Sequence, residues 1–423
     1  MSDEEFFPVE DGFGTLVMRR TARGGAIKWK RIMNGVEFML HNDRKTVDYL
    51  LAFKAGGIKF KLNDMTDRIE IQGDLELLPV DLQPISDVYE NVILNWLYDV
   101  GFMGKDRMTQ AISQAAAMNR YHPIKDFFRS LEWDGKDHIG ALLSHFRFSR
   151  ETDIFAQAAI KRWMIGAVAK VFEQGQNYML VIDGNQGIGK SYLVRWLCPM
   201  PKFFIEGAIH TEDKDSYLRL ISYLVWEVGE LEGVTRRADR AGLKDFITRR
   251  EVTQRPPYGK HDVVKPASAS LVGTINEDGA GFLNDPTGSR RFAVVKVEEI
   301  DRAYSETVNV NQLWAQVYEL YKMGEAWEME YQEKEAQAEI NKAYEADSPV
   351  EEHLKQLYEW GGNVSADSFI PSIDILGTLK MAGLSGNDKL SLMEISTVLK
   401  REGLVKTRRS GSMGFTGIRK KLQ

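Results

Sequence analysis

Val181–Cys198 reads VIDGNQGIGKSYLVRWLC, and the apolar run Tyr178–Ile182, YMLVI, leads into it. The apolar run predicts a buried strand and the amphipathic SYLVRWL a helix. Between them Gly184, Gly189, Lys190 and Ser191 fill the spacing G-x-x-x-x-G-K-S. Glycines there let consecutive backbone N–H groups curl around a polyphosphate, and the following helix N-terminus adds partial positive charge. A lysine at this spacing reaches the β- and γ-phosphates, and the adjoining hydroxyl ligates Mg²⁺. Gly184, Asn185, Gln186, Gly187, Ile188, Gly189, Lys190, Ser191 and Tyr192 are therefore the candidate nucleotide-binding residues, with Ser191 a candidate metal ligand.

Working outward, the next apolar run, Ile221–Trp226, reads as a second buried strand that ends in Glu227, with Glu230 and Glu232 close behind. A P-loop NTPase needs a carboxylate there to hold the Mg²⁺ shell and another to orient or deprotonate the attacking water. Glu227 is favoured as the strand-end acid and metal ligand, and Glu230 competes for the water-polarising role. Ser268–Ile275 predicts a third strand ending in Asn276, whose side chain can hydrogen-bond a γ-phosphate or the nucleophilic water. Arg290 and Arg291 precede a fourth strand, Phe292–Val297. Arginines so placed suit charge neutralisation on a phosphoryl group, in cis or from a neighbouring subunit.

The chain has 423 residues, a length that suits two to four domains. Hydrophobic residues make up 43% and charged residues 27%, an ordinary balance for a soluble globular protein. No apolar run approaches the length of a membrane span and the N-terminus MSDEEFFPVEDG is acidic, so neither signal peptide nor transmembrane helix is expected. Cys198 is the one cysteine, which excludes an intrachain disulfide or zinc cluster and points to a reducing, cytoplasmic setting. The net charge of -6 argues against a uniformly basic nucleic-acid binder, but the charge is segregated. Arg19–Lys61 holds 11 Lys/Arg against 3 Asp/Glu, and Lys400–Lys421 holds 8 against 1. Two basic flanks around an NTPase suggest a polyanionic partner.

Residues 1–85 read as a small β-rich domain from the alternating segments GAIKWKRIM, VEFMLHN, GIKFKLN and RIEIQ. Residues 86–177 switch to a helical period in Asp87–Val100, Asp106–Met118 and Ile154–Phe172, which suggests a helical collar. The core, 178–346, closes with helical segments and an acidic stretch, and Ser348-Pro349 marks a linker. In 347–423, helices are expected at Val350–Trp360, Ser368–Met381 and Leu392–Glu402. They are followed by a basic hairpin around Gly411-Ser412 that carries Arg408 and Arg409. That order is the pattern of a winged helix-turn-helix, whose third helix can enter a major groove while the hairpin grips phosphate.

The order of motifs resembles the virulence-associated E family, phage-encoded ATPases similar to superfamily 3 helicases. The segments that carry the resemblance are HPIKDFFRSLEWDG (His122–Gly135), GNQGIGKS, EVGELEG, LKDFITRREVTQRPPYGK, GTIN and FLNDPTGSRRF. The resemblance implies an α/β fold with an AAA+-like P-loop core, and a homo-oligomeric ring, commonly a hexamer, acting on DNA with ATP and Mg²⁺ in a bacterial host cytoplasm. It makes Lys190, Glu227, Glu230, Asn276 and Arg290 or Arg291 the catalytic set. It also puts Arg255, Lys260 and His261 in or near a DNA-contacting hairpin. Residues 1–85 are too short for the primase domain that many relatives carry, and they lack its paired metal-binding acids.

The expected function is DNA translocation or unwinding in phage or mobile-element replication. The alternative is an ATP-dependent DNA-binding initiator or loader without unwinding activity. A pure ligand switch would not require the hydrolytic set, and a small-molecule kinase would have little use for two basic flanks.

Overall fold

The computed structural model describes residues 6–19, 28–40, 45–150, 152–229, 231, 237–254, 262–276, 283, 289–344, 349–361 and 364–421. The chain is a mixed α/β protein. Its centre is a six-stranded sheet built from β1 (Phe146–Phe148), β2 (Met179–Asp183), β3 (Phe204–Glu206), β4 (Val225–Gly229), β5 (Ser270–Ile275) and β6 (Phe292–Ile300). The strand order is β3-β4-β5-β2-β6-β1, parallel except for the β6–β1 edge pair. Every residue of β2 is buried, as expected of a strand covered on both faces of a parallel sheet.

Helix α1 (Asp153–Glu173) lies against one face and contributes Trp163, Ile165 and Val168 to a core with Leu180, Val295 and Trp314. Helix α2 (Lys190–Leu197) leaves the loop that follows β2. Helix α3 (Arg237–Thr248) covers the other face, where Phe246 stacks edge-on to Trp226 with ring centroids 5.7 Å apart. Two later helices, α4 (Val310–Lys322) and α5 (Tyr331–Lys342), close the outside. Between α3 and β5 an antiparallel pair, Glu251–Gln254 with Val263–Pro266, flanks residues 255–261.

The N-terminal region is as strand-rich as its alternation predicts, with one departure. Strands Lys28–Met33, Val36–Met39, Lys59–Asn63 and Arg68–Gln72 are present, but Thr46–Ala55 is a helix. Helices Asp87–Asp99 and Lys105–Met118 share a core with these strands, through Ile93, Trp96, Met108 and Ile112 against Phe38, Phe53 and Phe60. Helix Pro123–Ser130 and α1 instead belong to the central core, so the packing divides between Met118 and Pro123.

In the C-terminal region helices Pro349–Leu357, Ser372–Met381 and Asp388–Arg401 pack on a small sheet of Phe369–Pro371, Ser412–Thr416 and Lys406–Arg409, with Ile395, Leu399 and Phe415 at its core. Among the described residues no helix is long and apolar enough to cross a membrane.

Candidate functional site

β2 releases the chain at the C-terminal edge of the sheet into the loop 184–189. Two of its glycines have separate physical reasons. A Cβ at Gly184 would stand 2.4 Å from the Val297 carbonyl oxygen, so only glycine lets the loop leave β2 this close to β6. Gly189, the residue before α2, has φ +106°, in the left-handed region that side chains disfavour. Asn185, Gln186, Gly187, Ser191 and Tyr192 are exposed around the loop, while Ile188 packs onto the central core.

Lys190 is only 8% exposed and curls back over the loop. Its Nζ donates to the carbonyl oxygens of Gly184 (2.6 Å) and Asn185 (2.9 Å) and to Asn276 Oδ1 (3.3 Å). Asn276 is the first residue after β5, the strand beside β2, so sheet pairing brings the two together across 86 residues.

Glu227 departs from its expected place. Ile221 and Ser222 end the helix Lys214–Ser222, and the strand begins at Val225, so Glu227 lies inside β4 rather than at its tip. A largely apolar run, interrupted only by Ser222, joins that helix to the strand, and periodicity alone does not separate them. Both Glu227 carboxylate oxygens are buried without a well-formed hydrogen bond. Burial pushes its pKa up; the Ser191 and Thr274 hydroxyls and Arg195 pull in the other direction, and Glu206 adds to the rise. A buried carboxylate with unsatisfied oxygens next to a loop serine fits a divalent cation. Among the described residues no group of three or more His, Cys, Asp or Glu could hold a metal ion, so such a cation would take its other ligands from phosphate and water.

Arg290 and Arg291 are at the opposite edge. They precede Phe292, which pairs with Met179 at the start of β2, whereas the loop follows Asp183 at its end. The five residues of β2 separate the two edges by about 16 Å at the usual strand rise. Helix α5 fixes this turn: Asn341 Nδ2 donates to the Ser289 carbonyl and Gln337 Nε2 to those of Arg290 and Phe292. Arg290 is exposed, while Arg291 is half-buried with its Nε unpartnered. Both border a cavity of about 660 Å³ with Asn177, Thr248, Met329 and Gln337.

Glu230, Arg255, Lys260 and His261 lie outside the described residues. In the C-terminal hairpin Arg408 is exposed and Arg409 is tethered, with its guanidinium 5.8 Å from the Phe369 ring centroid and Nη1 donating to the Asp367 carbonyl at 2.9 Å.

The family model of the virulence-associated protein E-like domain matches residues 128–346, more than half of the chain. The chain belongs to this family. No curated protein matches it. Among solved structures, the apo structure of the NrS-1 C-terminal region (305–718) is 13% identical, covers 89% of this chain and 100% of that one, and superposes with a TM-score of 0.49. An A-form apo structure of the same region is 14% identical with the same coverage and a TM-score of 0.48.

The motif His122–Gly135, which runs across the start of the matched virulence-associated E-like domain, is architectural. His122 Nδ1 accepts from the Lys125 N–H at the start of helix Pro123–Ser130, and burial depresses its pKa to about 4. Phe128 is fully buried, and the Asp134 N–H donates to Gln312 of α4. The domain also holds groups that the motif pattern does not mark. Tyr344 Oη donates to Asp183 Oδ2 at 2.6 Å just below the loop, and Arg302 Nη2 donates to the Gly187 carbonyl at 3.1 Å. Arg302 follows β6 in the charged string VEEIDR, which in sequence looks like any solvated strand end.

Proposed function

We propose that this chain is an oligomeric, Mg²⁺-dependent ATPase with an AAA+-like P-loop core at 178–346, which moves on or unwinds DNA in phage or mobile-element replication. One observation carries the proposal. Lys190 and Asn276 meet at one edge of the parallel sheet, with Ser191 beside the buried mid-strand Glu227, while Arg290 and Arg291 stand at the other edge. Lys190 would exchange its loop carbonyls for the β- and γ-phosphates. Ser191 and Glu227 would hold Mg²⁺, which would neutralise charge developing on the transferred phosphoryl group. Asn276 would orient the attacking water, alone or with Glu230.

An arginine about 16 Å from its own loop does not serve that loop. Arg290, the more exposed of the pair, would reach a neighbouring copy's phosphates, so the complete site requires a ring, commonly a hexamer, of this chain. DNA would run past the 255–261 segment, with Arg255, Lys260 and His261, and the winged-helix-like region 347–423 would add phosphate contacts through Arg408 and Arg409. The helices Asp87–Asp99 and Lys105–Met118 would join residues 1–85 in one β-rich N-terminal unit rather than form a separate collar at 86–177.

The test is steady-state ATPase activity with and without single- and double-stranded DNA, together with light scattering in a non-hydrolysable ATP analogue. DNA-stimulated turnover in a ring-sized assembly supports the motor. DNA binding and turnover without strand separation in an unwinding assay would favour the initiator or loader. Nucleotide binding without turnover by a monomer would overturn the ATPase.

A further inference from the structure

The loop 184–189 has two unlike flanks, because β2 lies between β5 and β6. On the β5 side are Asn276, and one strand further Glu227, the groups assigned above to the terminal phosphate. On the β6 side the chain turns at Asp301–Tyr304 and lays Arg302 across the loop. Arg302 Nη2 donates to the Gly187 carbonyl, and its Nε would be 3.1 Å from a Cβ at position 189. This turn is held firmly. His145 Nδ1 bonds Asp301 Oδ2 at 2.9 Å, the Asp301 N–H donates to the His145 carbonyl, and the Ala303 N–H donates to Asp301 Oδ1.

An aromatic wall stands beside Arg302. Tyr304 is fully buried, with the Trp196 ring 4.9 Å and the Tyr192 ring 6.4 Å from its own, centroid to centroid. Tyr192 itself is 51% exposed, although it directly follows the loop's Ser191. The Tyr304 hydroxyl is buried with no hydrogen-bond partner. Three features thus meet on one side of the loop: a planar cation fixed on a rigid turn, an exposed ring, and an unsatisfied hydroxyl behind them.

We infer that Tyr192 and Arg302 form the nucleoside end of the site and take a purine base by stacking, with the phosphates running across the loop toward Lys190 and Asn276. A phenol ring and a guanidinium both offer flat faces that stack on a base. The inference rests on the nucleotide reading of the loop. It adds the direction in which the nucleotide lies.

Two probes separate the ends of the ligand: ADP, which has a base, and inorganic tripolyphosphate, which has none. Titration calorimetry with Mg²⁺ compares the wild type with Tyr192→Ala, Tyr192→Phe and Arg302→Ala. Tyr192→Ala and Arg302→Ala are each expected to weaken ADP about tenfold, leaving tripolyphosphate within about twofold. Tyr192→Phe should retain ADP binding. Unchanged ADP affinity in Tyr192→Ala, or equal losses for both probes in both alanine variants, would overturn the base subsite. Arg302 touches the loop backbone, so thermal unfolding without ligand checks its fold, and the exposed Tyr192 supplies the independent variant. A wild type that binds neither probe would instead overturn the nucleotide reading itself.

Discussion

The Lys265 ammonium stands 2.6 Å from the Asp67 carboxylate and 2.6 Å from the Asp64 carbonyl oxygen. This ties the strand Val263–Pro266, which returns from the 255–261 segment, to the turn between Lys59–Asn63 and Arg68–Gln72. The Lys265 side chain is largely buried, so its charge depends on that turn for compensation. Asp67→Ala leaves the ammonium with less compensation and is expected to destabilise the fold by about 2 kcal/mol. Lys265→Met removes the charge while keeping most of the stem, and should cost less. Thermal unfolding at neutral pH compares the two. A larger loss for Lys265→Met would mean that the ammonium's bond to the Asp64 carbonyl and the Asp67 carboxylate left behind outweigh the cost of an uncompensated ammonium.

Glu227 links function to pH. Its burial raises the folded-state pKa above that of an unfolded glutamate, about 4.3. The folded protein therefore binds this proton more tightly than the unfolded chain. The group does not penalise folding below the unfolded value, and the penalty grows to its full size as pH rises through the folded value. Glu227→Gln should accordingly raise thermal stability at pH 7, by about 1 kcal/mol or more, while hydrolysis is lost. The stability gain should vanish toward pH 4. A variant less stable than the wild type at pH 7 would show that the carboxylate has compensation in the fold beyond Ser191 and Thr274.

Local backbone form is legible in the sequence and edge-to-edge geometry is not. The Gly184–Ser191 turn can be read from spacing because a tight strand-to-helix turn fixes its glycines within a short run of neighbouring residues. Asp87–Asp99 can be read because it buries one periodic face, whereas Asp153–Glu173 is legible by length and composition, being buried on every side from Trp163 to Val171. Thr46–Ala55 is hidden in the sequence because its apolar residues run together as YLLAF between two strands within a basic stretch. Arg302 is not legible because a cation after a strand takes meaning only from which strand lies next to it, and β6 neighbours β2 only through tertiary pairing. The same pairing sends Arg290 to the far edge, a placement absent from the order of residues.

That placement makes Lys190 and Arg290 complementary defects. Lys190→Ala should bind nucleotide poorly and lower turnover at least about a hundredfold, with the sheet intact. Arg290→Ala should still bind nucleotide, because the residue is remote from its own loop, yet lose about a thousandfold in turnover. Mixing the two variants creates interfaces with an intact loop from one copy and an intact arginine from the other, so activity should return in part. No recovery at any ratio would remove Arg290 from the neighbour's site. Arg291→Ala should lower stability more than Arg290→Ala, since only Arg291 is half-buried.

The two hairpin arginines differ in freedom, and the difference predicts different losses. Arg408 is exposed, its Nε reaching only the Gly411 carbonyl at a long 3.4 Å, whereas Arg409 is bonded to Asp367 and stacked on Phe369. A cation available to a phosphate contributes counterion release, so its removal should weaken duplex binding and lower the salt dependence of log K by about one. Arg408→Ala is expected to do this without changing stability. Arg409→Ala should act mainly on the hairpin, lowering thermal stability with a smaller change in salt slope. Fluorescence anisotropy with a labelled duplex over a salt series reads both. If neither variant moves the slope, the duplex does not touch this hairpin, and the basic stretch at Arg19–Lys61 becomes the surface to mutate next.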